Sequence, residues 1–383
     1  MSSPEDAGPR GVRSRRRAVG VAVVGCGDAA SDAVLRALVA AARQGMTADL
    51  GGEQVALGPV VAVDTQRPAV EDIEFRLADP ADPGLVAALA GAPLAAYVAA
   101  STDLAADQAV GAVRRRERSL RRAQTVITAA AAARVRRLVV VTSAKVYGAH
   151  ADNPVPLLED APLRAPSDDG QVGDLMDVEQ LVAVAREVHP GLSITVVRPA
   201  ALVGEGVDTV TTRHFEAPRL LTVRGAVGAW QFCHVDDLGT AVVAALSRDL
   251  GPAVTAGCAG HLTQPDLERL SGMRPVALSL GAAMGTADRL HRVGVLPSPA
   301  SDLAFAVFPW VVSSQTLREA GWAPVYDNET CLGVLLAQIR GSHAVAARRL
   351  DRKDAALGAA SAAVALVGTA AIMRRRRRKS GAS

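Results

Sequence analysis

Residues 19–30 read Val-Gly-Val-Ala-Val-Val-Gly-Cys-Gly-Asp-Ala-Ala, and the fold turns on how this stretch is read. Its first six residues make a strand too apolar to leave a face in water. Gly25, Gly27 and Ala30 then space a G-x-G-x-x-A turn into a helix over 32–41, where Ala33, Val34, Ala37, Leu38 and Ala41 share one side. Glycine at such points permits a tight turn and lets backbone N–H groups approach a pyrophosphate at the helix N-terminus. Asp28 would set its charge against an anionic ligand there unless its carboxylate turns away to cap the helix.

Working outward, β-branched apolar runs at 60–63, 73–77, 95–100 and 138–141 alternate with Ala, Leu and Arg stretches at helical spacing, the longest running through Ala132. Apolar strands each followed by a helix predict an α/β fold with a doubly wound parallel sheet covered on both faces. Beyond Gly148 the chain is richer in Pro, with a helix near 178–188, a strand at 193–197 and mixed elements to about Ile339. No internal repeat is present, which disfavours a solenoid. Asp64 closes the second strand, where a carboxylate holds the ribose hydroxyls of a dinucleotide, and Arg67 nearby would instead welcome a 2′-phosphate. The alternative for Asp64 is an ordinary turn residue.

Composition narrows the function. With 49% hydrophobic and 21% charged residues in 383, the chain can build a large core, which excludes wholesale disorder and a polytopic transporter. A net charge of +3 is too small for a molecule built to wrap nucleic acid. Four distant cysteines without a C-x-x-C pair, and seven histidines without metal-ligand spacing, argue against a metal site or a disulfide scaffold. They predict a reducing, cytoplasmic setting. Only Lys145, Lys353 and Lys379 are lysines, so chemistry that needs a Lys has few candidates.

The basic residues gather at the ends. Residues 1–17, with Arg13, Arg15, Arg16 and Arg17, predict a disordered basic arm and not a secretory leader, because the apolar run after them continues into strand and helix. The body is expected over 18–345, followed by a basic linker at 346–353, an apolar helix at 354–373 and a basic tail at 374–383. Residues 355–373 carry no charge and would make a helix about 28 Å long, near the hydrocarbon thickness of a bilayer. Nine alanines make full insertion marginal, whereas basic flanks favour an anionic membrane surface. The other reading is an Ala-rich helix packed on the body or lying at its surface.

Thr142-Ser143-Ala-Lys-Val-Tyr147-Gly148, Asn153-Pro-Val-Pro with Glu159-Asp160, Arg198-Pro199 with Val203-Gly204, Phe232-Cys-His234-Val-Asp236-Asp237, and Pro309-Trp310 with Gly321-Trp322 form a set. Together they resemble the extended short-chain dehydrogenase/reductase family, also called the NAD-dependent epimerase/dehydratase family. The resemblance covers roughly residues 18–340. It implies a Rossmann domain with a smaller C-terminal substrate lobe, an NAD or NADP cofactor, and contact of Asp79 with the adenine. It also implies oxidoreductase or epimerase chemistry in which a Tyr acts as acid/base, a Lys four residues on tunes it, and a Ser orients the substrate oxygen.

Ser143 matches that last role, but Tyr and Lys are absent. Their places before Glu179 hold Gln171 or Val172, and Leu175 or Met176, depending on the gap. Tyr97, Tyr147 and Tyr326 are followed four residues later by Ser101, Ala151 and Thr330, so no Tyr-x-x-x-Lys exists in the chain. The glycine loop is eroded too, with Asp28 and Ser31 in two of the family's glycine places. Tyr147 and Lys145 beside Ser143 remain as groups to be recruited, although a Tyr in this turn is commonly structural in the family. The combined reading is a dinucleotide-binding family member whose work is binding or regulation, with no nucleic-acid partner. The rivals are an active membrane-associated oxidoreductase, epimerase or dehydratase on a lipid-like or sugar-nucleotide substrate, and a cofactor-free scaffold.

Overall fold

The computed structural model describes residues 18–293 and 298–348, with side chains through Gly341. The basic arm and the apolar stretch over 355–373 lie outside the described residues. Strand β1 (Ala18–Val24) passes through the glycine loop into α1 (Ala29–Arg43). Next come β2 (Thr47–Leu50), β3 (Glu53–Asp64), β4 (Glu74–Leu77), α2 (Leu85–Ala88), β5 (Leu94–Val98), α3 (Leu104–Val110), α4 (Ala112–Ala132) and β6 (Arg137–Val141). A 3₁₀ turn (Ala144–Tyr147) precedes α5 (Gln171–Val188) and β7 (Ser193–Pro199).

Among the described residues the main sheet has eight strands. Its order is β12-β7-β6-β5-β1-β3-β2, with β12 (Ala253–Ala256) at one edge and β4 also pairing with β3. Strand order reverses between β1 and β5, the switch point at which open α/β sheets leave a crevice beyond their carboxyl ends. Alternation along β1 feeds two cores. Val21 and Val23 pack with α1 and α7 (Val235–Ser247), while Ala22 and Val24 pack with α4 and α5.

One edge departs from the expected all-parallel sheet. β2 runs antiparallel to the first half of β3 around Gly51 and Gly52, both at positive φ, whereas β4 runs parallel to its second half. No strand is expected between the first helix and residue 60. Residues 47–50 alternate half-buried and buried, so they lack the continuous apolar run of the central strands, and the Gly-Gly pair is the hairpin signal.

The smaller lobe continues from the far side of the sheet. It contains β8 (Ala201–Val203), α6 (Val210–His214), β9 (Leu220–Val223), β10 (Ala229–Trp230) and β11 (Phe232–His234). After β12 come β13 (Leu262–Thr263), α8 (Gln264–Ser271), β14 (Pro275–Leu278), α9 (Leu280–Arg292), a 3₁₀ segment (Ala300–Ala306), α10 (Gln315–Glu319) and α11 (Asn328–Arg348). Strand pairs β8/β11, β9/β14 and β10/β13 hold it together. Among the described residues no helix is long and apolar enough to cross a membrane.

Candidate functional site

A cleft of about 290 Å³ opens at the switch point, lined by the glycine loop, the ends of β5 and β6, one face of α4 and the start of α5. Gly25 sits at φ 81°, where a Cβ would lie 3.1 Å from the Val98 carbonyl oxygen, so this position admits only glycine. Gly27, at φ 110°, has open space in front of its Cβ direction. Asp28 lines the cleft, but its carboxylate is taken up in capping α1. Its Oδ1 accepts the Ser31 N–H at 2.9 Å, its Oδ2 accepts the Thr102 N–H at 2.8 Å, and Ser31 Oγ accepts the Asp28 N–H. The chain's own carboxylate thus fills part of the helix terminus that an external phosphate would use.

Asp64 is buried behind this loop. Its Oδ2 accepts the Cys26 N–H at 2.7 Å, and its Oδ1 accepts the N–H and hydroxyl of Thr65. Asp64 therefore ties the loop to the end of β3 and is not among the residues lining the cleft. Burial, with the Asp64 charge adding to it, pushes the Cys26 thiol up to about 12. Arg67 and Asp79 are exposed and do not line the cleft either. Asp79 Oδ1 accepts the Ala81 N–H in its own turn.

Positive charge enters instead from α4. Arg115, Arg118 and Arg122, spaced to share a helix face, line the cleft with Ser119. That spacing was legible in the sequence, yet the motif reading passed over it. Arg115 donates to Asp174 at 2.6 Å and to the Asp169 carbonyl. Arg118 and Arg122 make no ion pair among the described residues, and Arg122 Nε is buried with no hydrogen-bond partner. The Tyr97 ring lies 3.4 Å from where a Gly25 Cβ would sit, and burial pushes its phenol up to about 12 despite the two nearby guanidinium charges.

On the α5 wall, Gln171, Val172, Asp174 and Leu175 line the cleft and Met176 does not. Of the two pairs that the resemblance puts in the Tyr and Lys places, Gln171 with Leu175 is the one with both members on the cleft lining. The Gln171 amide donates to Asp107 on α3. Gly173 lies where a Cβ would meet the Asp168 carbonyl oxygen at 2.2 Å, so the preceding loop passes directly over the first turn of α5.

Ser143 lines the cleft, its Oγ accepting the Lys145 N–H at 3.2 Å to cap the 3₁₀ turn. Tyr147 does not line it. Its side chain is fully buried, its hydroxyl donating to the Glu159 carbonyl at 2.9 Å and accepting from Arg198 Nη1 at 2.8 Å. Arg198 also grips both Glu179 oxygens at 2.9 Å, and Thr142 Oγ1 donates to Glu179 at 2.8 Å. Tyr147 is thus bound into a structural network, which removes it as a recruited acid/base.

Lys145 faces the other way, lining the cleft with Asp302 from the 3₁₀ segment Ala300–Ala306. Its Nζ lies 5.2 Å from the Phe305 ring centroid and 5.8 Å from that of Trp310. Burial holds its pKa below that of an ordinary lysine, with the Asp302 charge opposing. Burial likewise raises Asp302 above the usual carboxylate range, against the pull of Lys145. Sequence reading gave no signal for Asp302, which reaches the cleft from the distant lobe.

A family model described as the NAD dependent epimerase/dehydratase family matches residues 54–256. An uncharacterised protein of Mycobacterium tuberculosis strain H37Rv is 27% identical over 241 residues, 61% of this chain and 64% of its own length. An uncharacterised protein of Sinorhizobium fredii is 26% identical over 216 residues, covering 54% of this chain and 53% of the relative. The chain thus spans less than two thirds of these relatives. Among solved structures, MoeE5 in complex with UDP-glucuronic acid and NAD superposes with a TM-score of 0.60 at 19% identity, covering 84% of this chain and 99% of that one. A UDP-glucose 4-epimerase from Thermotoga maritima, solved with UDP-glucose, gives 0.59 at 15% identity, covering 85% and 99%. At such identities the likeness shows the shared α/β fold.

Proposed function

The chain belongs to the NAD-dependent epimerase/dehydratase family, and on that premise we propose that its cleft binds NAD or NADP without the family's Tyr/Lys proton transfer, so that its work is binding or regulation. The observation that carries this is the α5 wall, where Gln171 and Leu175 face the cleft. Neither side chain titrates, so neither exchanges a proton with a substrate oxygen or tunes a neighbour that does.

The residues present fit a dinucleotide. Gly27 leaves room for close approach, and the buried, unpartnered Nε of Arg122 is a donor that a phosphate oxygen would satisfy. Arg118 adds charge without a competing carboxylate. When bound, the nicotinamide supplies a hydride acceptor or donor. NAD in a solved neighbour supports the same reading.

Titration calorimetry with NAD(H) and NADP(H) tests it. We expect binding that weakens about tenfold or more in Arg122→Ala, as for a lost charge-assisted hydrogen bond of about 1.5–3 kcal/mol. No heat with any of the four forms refutes dinucleotide binding. Coenzyme turnover should be absent across alcohols, steroids and sugar nucleotides, and robust reduction abolished by Ser143→Ala overturns the binding role. For residues 355–373, the uncharged stretch between basic flanks supports surface attachment to anionic membrane. The intact chain should then sediment with membranes and come off in high salt, and full solubility at low salt refutes it.

A further inference from the structure

Lys145 is the one lysine among the described residues, and its surroundings differ from those of a lysine held only for packing. Its Nζ makes no hydrogen bond with any described residue and no ion pair within 4.0 Å, although Asp302 lines the same cleft. Phe305 and Trp310 cradle the amine, and Ser143 opens onto the cleft two residues away. We propose that Lys145 is a reactive amine that captures a small aldehyde or ketone as a reversible imine, with Asp302 as proton carrier and Ser143 holding the carbonyl oxygen. The proposal shares the cleft with the dinucleotide reading and stands without it.

Chemistry of this kind needs an uncharged amine, a proton donor for the departing oxygen, and a wall that keeps water away. Phe305 and Trp310 cover one side of the half-buried amine, and desolvation favours its free form while the Asp302 charge opposes this. Asp302 is 8% exposed, and burial favours its protonated form while the Lys145 charge opposes this. Asp168 acts on it in the same direction as burial, whereas a hydrogen bond with Ser298 and the charge of Arg115 act against. In the step itself the Nζ lone pair forms a bond to the carbonyl carbon, and the C=O π pair moves to oxygen, which takes the proton carried by Asp302. Loss of the nitrogen proton to the Asp302 carboxylate leaves a neutral carbinolamine. Proton return from Asp302 to the hydroxyl lets it leave as water, the C=N bond forms as an iminium, and its N–H proton passes back to the Asp302 carboxylate. The sum is amine plus carbonyl giving imine plus water, with no oxidant or reductant.

The chain's lysine economy makes the test clean. The full-length protein is incubated near neutral pH with limiting propionaldehyde and cyanoborohydride, and labelled lysines are located by peptide mass mapping over time. Lys145 should be labelled about tenfold faster or more than Lys353 and Lys379, because its free-amine fraction is larger. Labelling of Lys145 no faster than the other two overturns the proposal. Asp302→Asn should slow labelling at Lys145 severalfold, and unchanged labelling in a folded variant removes Asp302 from the step. If that variant does not fold, the wild-type ratio alone decides. Dinucleotide titration on the same sample separates the two readings, since slow labelling with intact NAD binding sinks only this inference.

Discussion

The 3₁₀ turn Ala144–Tyr147 separates two polar clusters that differ in one respect. On the Tyr147 side, Arg198, Glu179, Thr142 and the phenol satisfy one another through hydrogen bonds of 2.8 to 2.9 Å. On the Lys145 side, Arg122 Nε is buried without a hydrogen-bond partner, and the half-buried Lys145 Nζ has none among the described residues. A buried polar group without a partner costs free energy, so a fold that keeps one in its cleft has left a place for an external atom. The saturated cluster holds the sheet and α5 together, and the unsaturated one is where a ligand belongs.

The largest effect should come from breaking the saturated side. Glu179→Ala leaves the Arg198 guanidinium buried and unpaired, with side chains only 9% and 4% exposed in the parent pair. We expect a loss of about 3–5 kcal/mol in denaturant unfolding, the range for removing one partner of a buried ion pair. Lys145→Met, which removes an amine that satisfies nothing, should change stability by less than about 1 kcal/mol. Equal losses in the two variants would erase the distinction between the clusters.

How much of this was legible in the sequence follows from the range of each interaction. The strand, glycine loop and α1 were readable because apolar period, glycine spacing and helix periodicity are all local. The absence of any Tyr-x-x-x-Lys was readable for the same reason, but the choice between Gln171 with Leu175 and Val172 with Met176 depends on a gap that the sequence leaves open. The Asp28 cap was weighed but not decided, because the second hydrogen bond that pins it comes from Thr102 across the sheet. Asp302 was invisible, since no local pattern marks a carboxylate delivered by a 3₁₀ segment of the distant lobe. Asp64, Arg67 and Asp79 illustrate the converse: their positions at strand ends were correctly spaced, but burial or exposure puts all three outside the cleft lining.

A buried donor or acceptor without a partner is not always a ligand site, and His214 sharpens the rule. Its Nε2 is buried and unpartnered, yet the ring stacks on Trp230 at 5.5 Å, meets Phe215 edge-on, and does not line the cleft. Burial lowers its pKa to about 4 from an ordinary value of 6.5. The unfolded chain therefore binds a proton more readily between those values. His214 contributes its full share of stability above about pH 6.5 and loses it as pH falls to about 4, a difference of up to about 3 kcal/mol. Urea unfolding at both ends of that window should show a smaller acid loss in His214→Phe than in wild type. Identical acid losses would mean that the imidazole is hydrated and its missing partner is water.

The smallest effect tests the border between the clusters, where Asp28 looks like part of the ligand site and behaves as part of the frame. Its carboxylate sits at the start of α1 in the glycine loop, but both oxygens are engaged, one by Ser31 N–H and one by Thr102 N–H. Asp28→Ala removes a helix cap and a cross-sheet hydrogen bond and should cost about 1–2 kcal/mol. Asp28→Asn keeps a capping oxygen and should recover most of that, with Ser31 still closing the capping box. Were the carboxylate aimed at a pyrophosphate, losing its charge would tighten dinucleotide binding strongly. Because it points to the frame, the dissociation constant of Asp28→Asn should stay within about threefold of wild type, less than 1 kcal/mol. A tenfold gain in affinity without a change in unfolding would return Asp28 to the ligand's side of the border, and with it the view that the loop is eroded and not rebuilt.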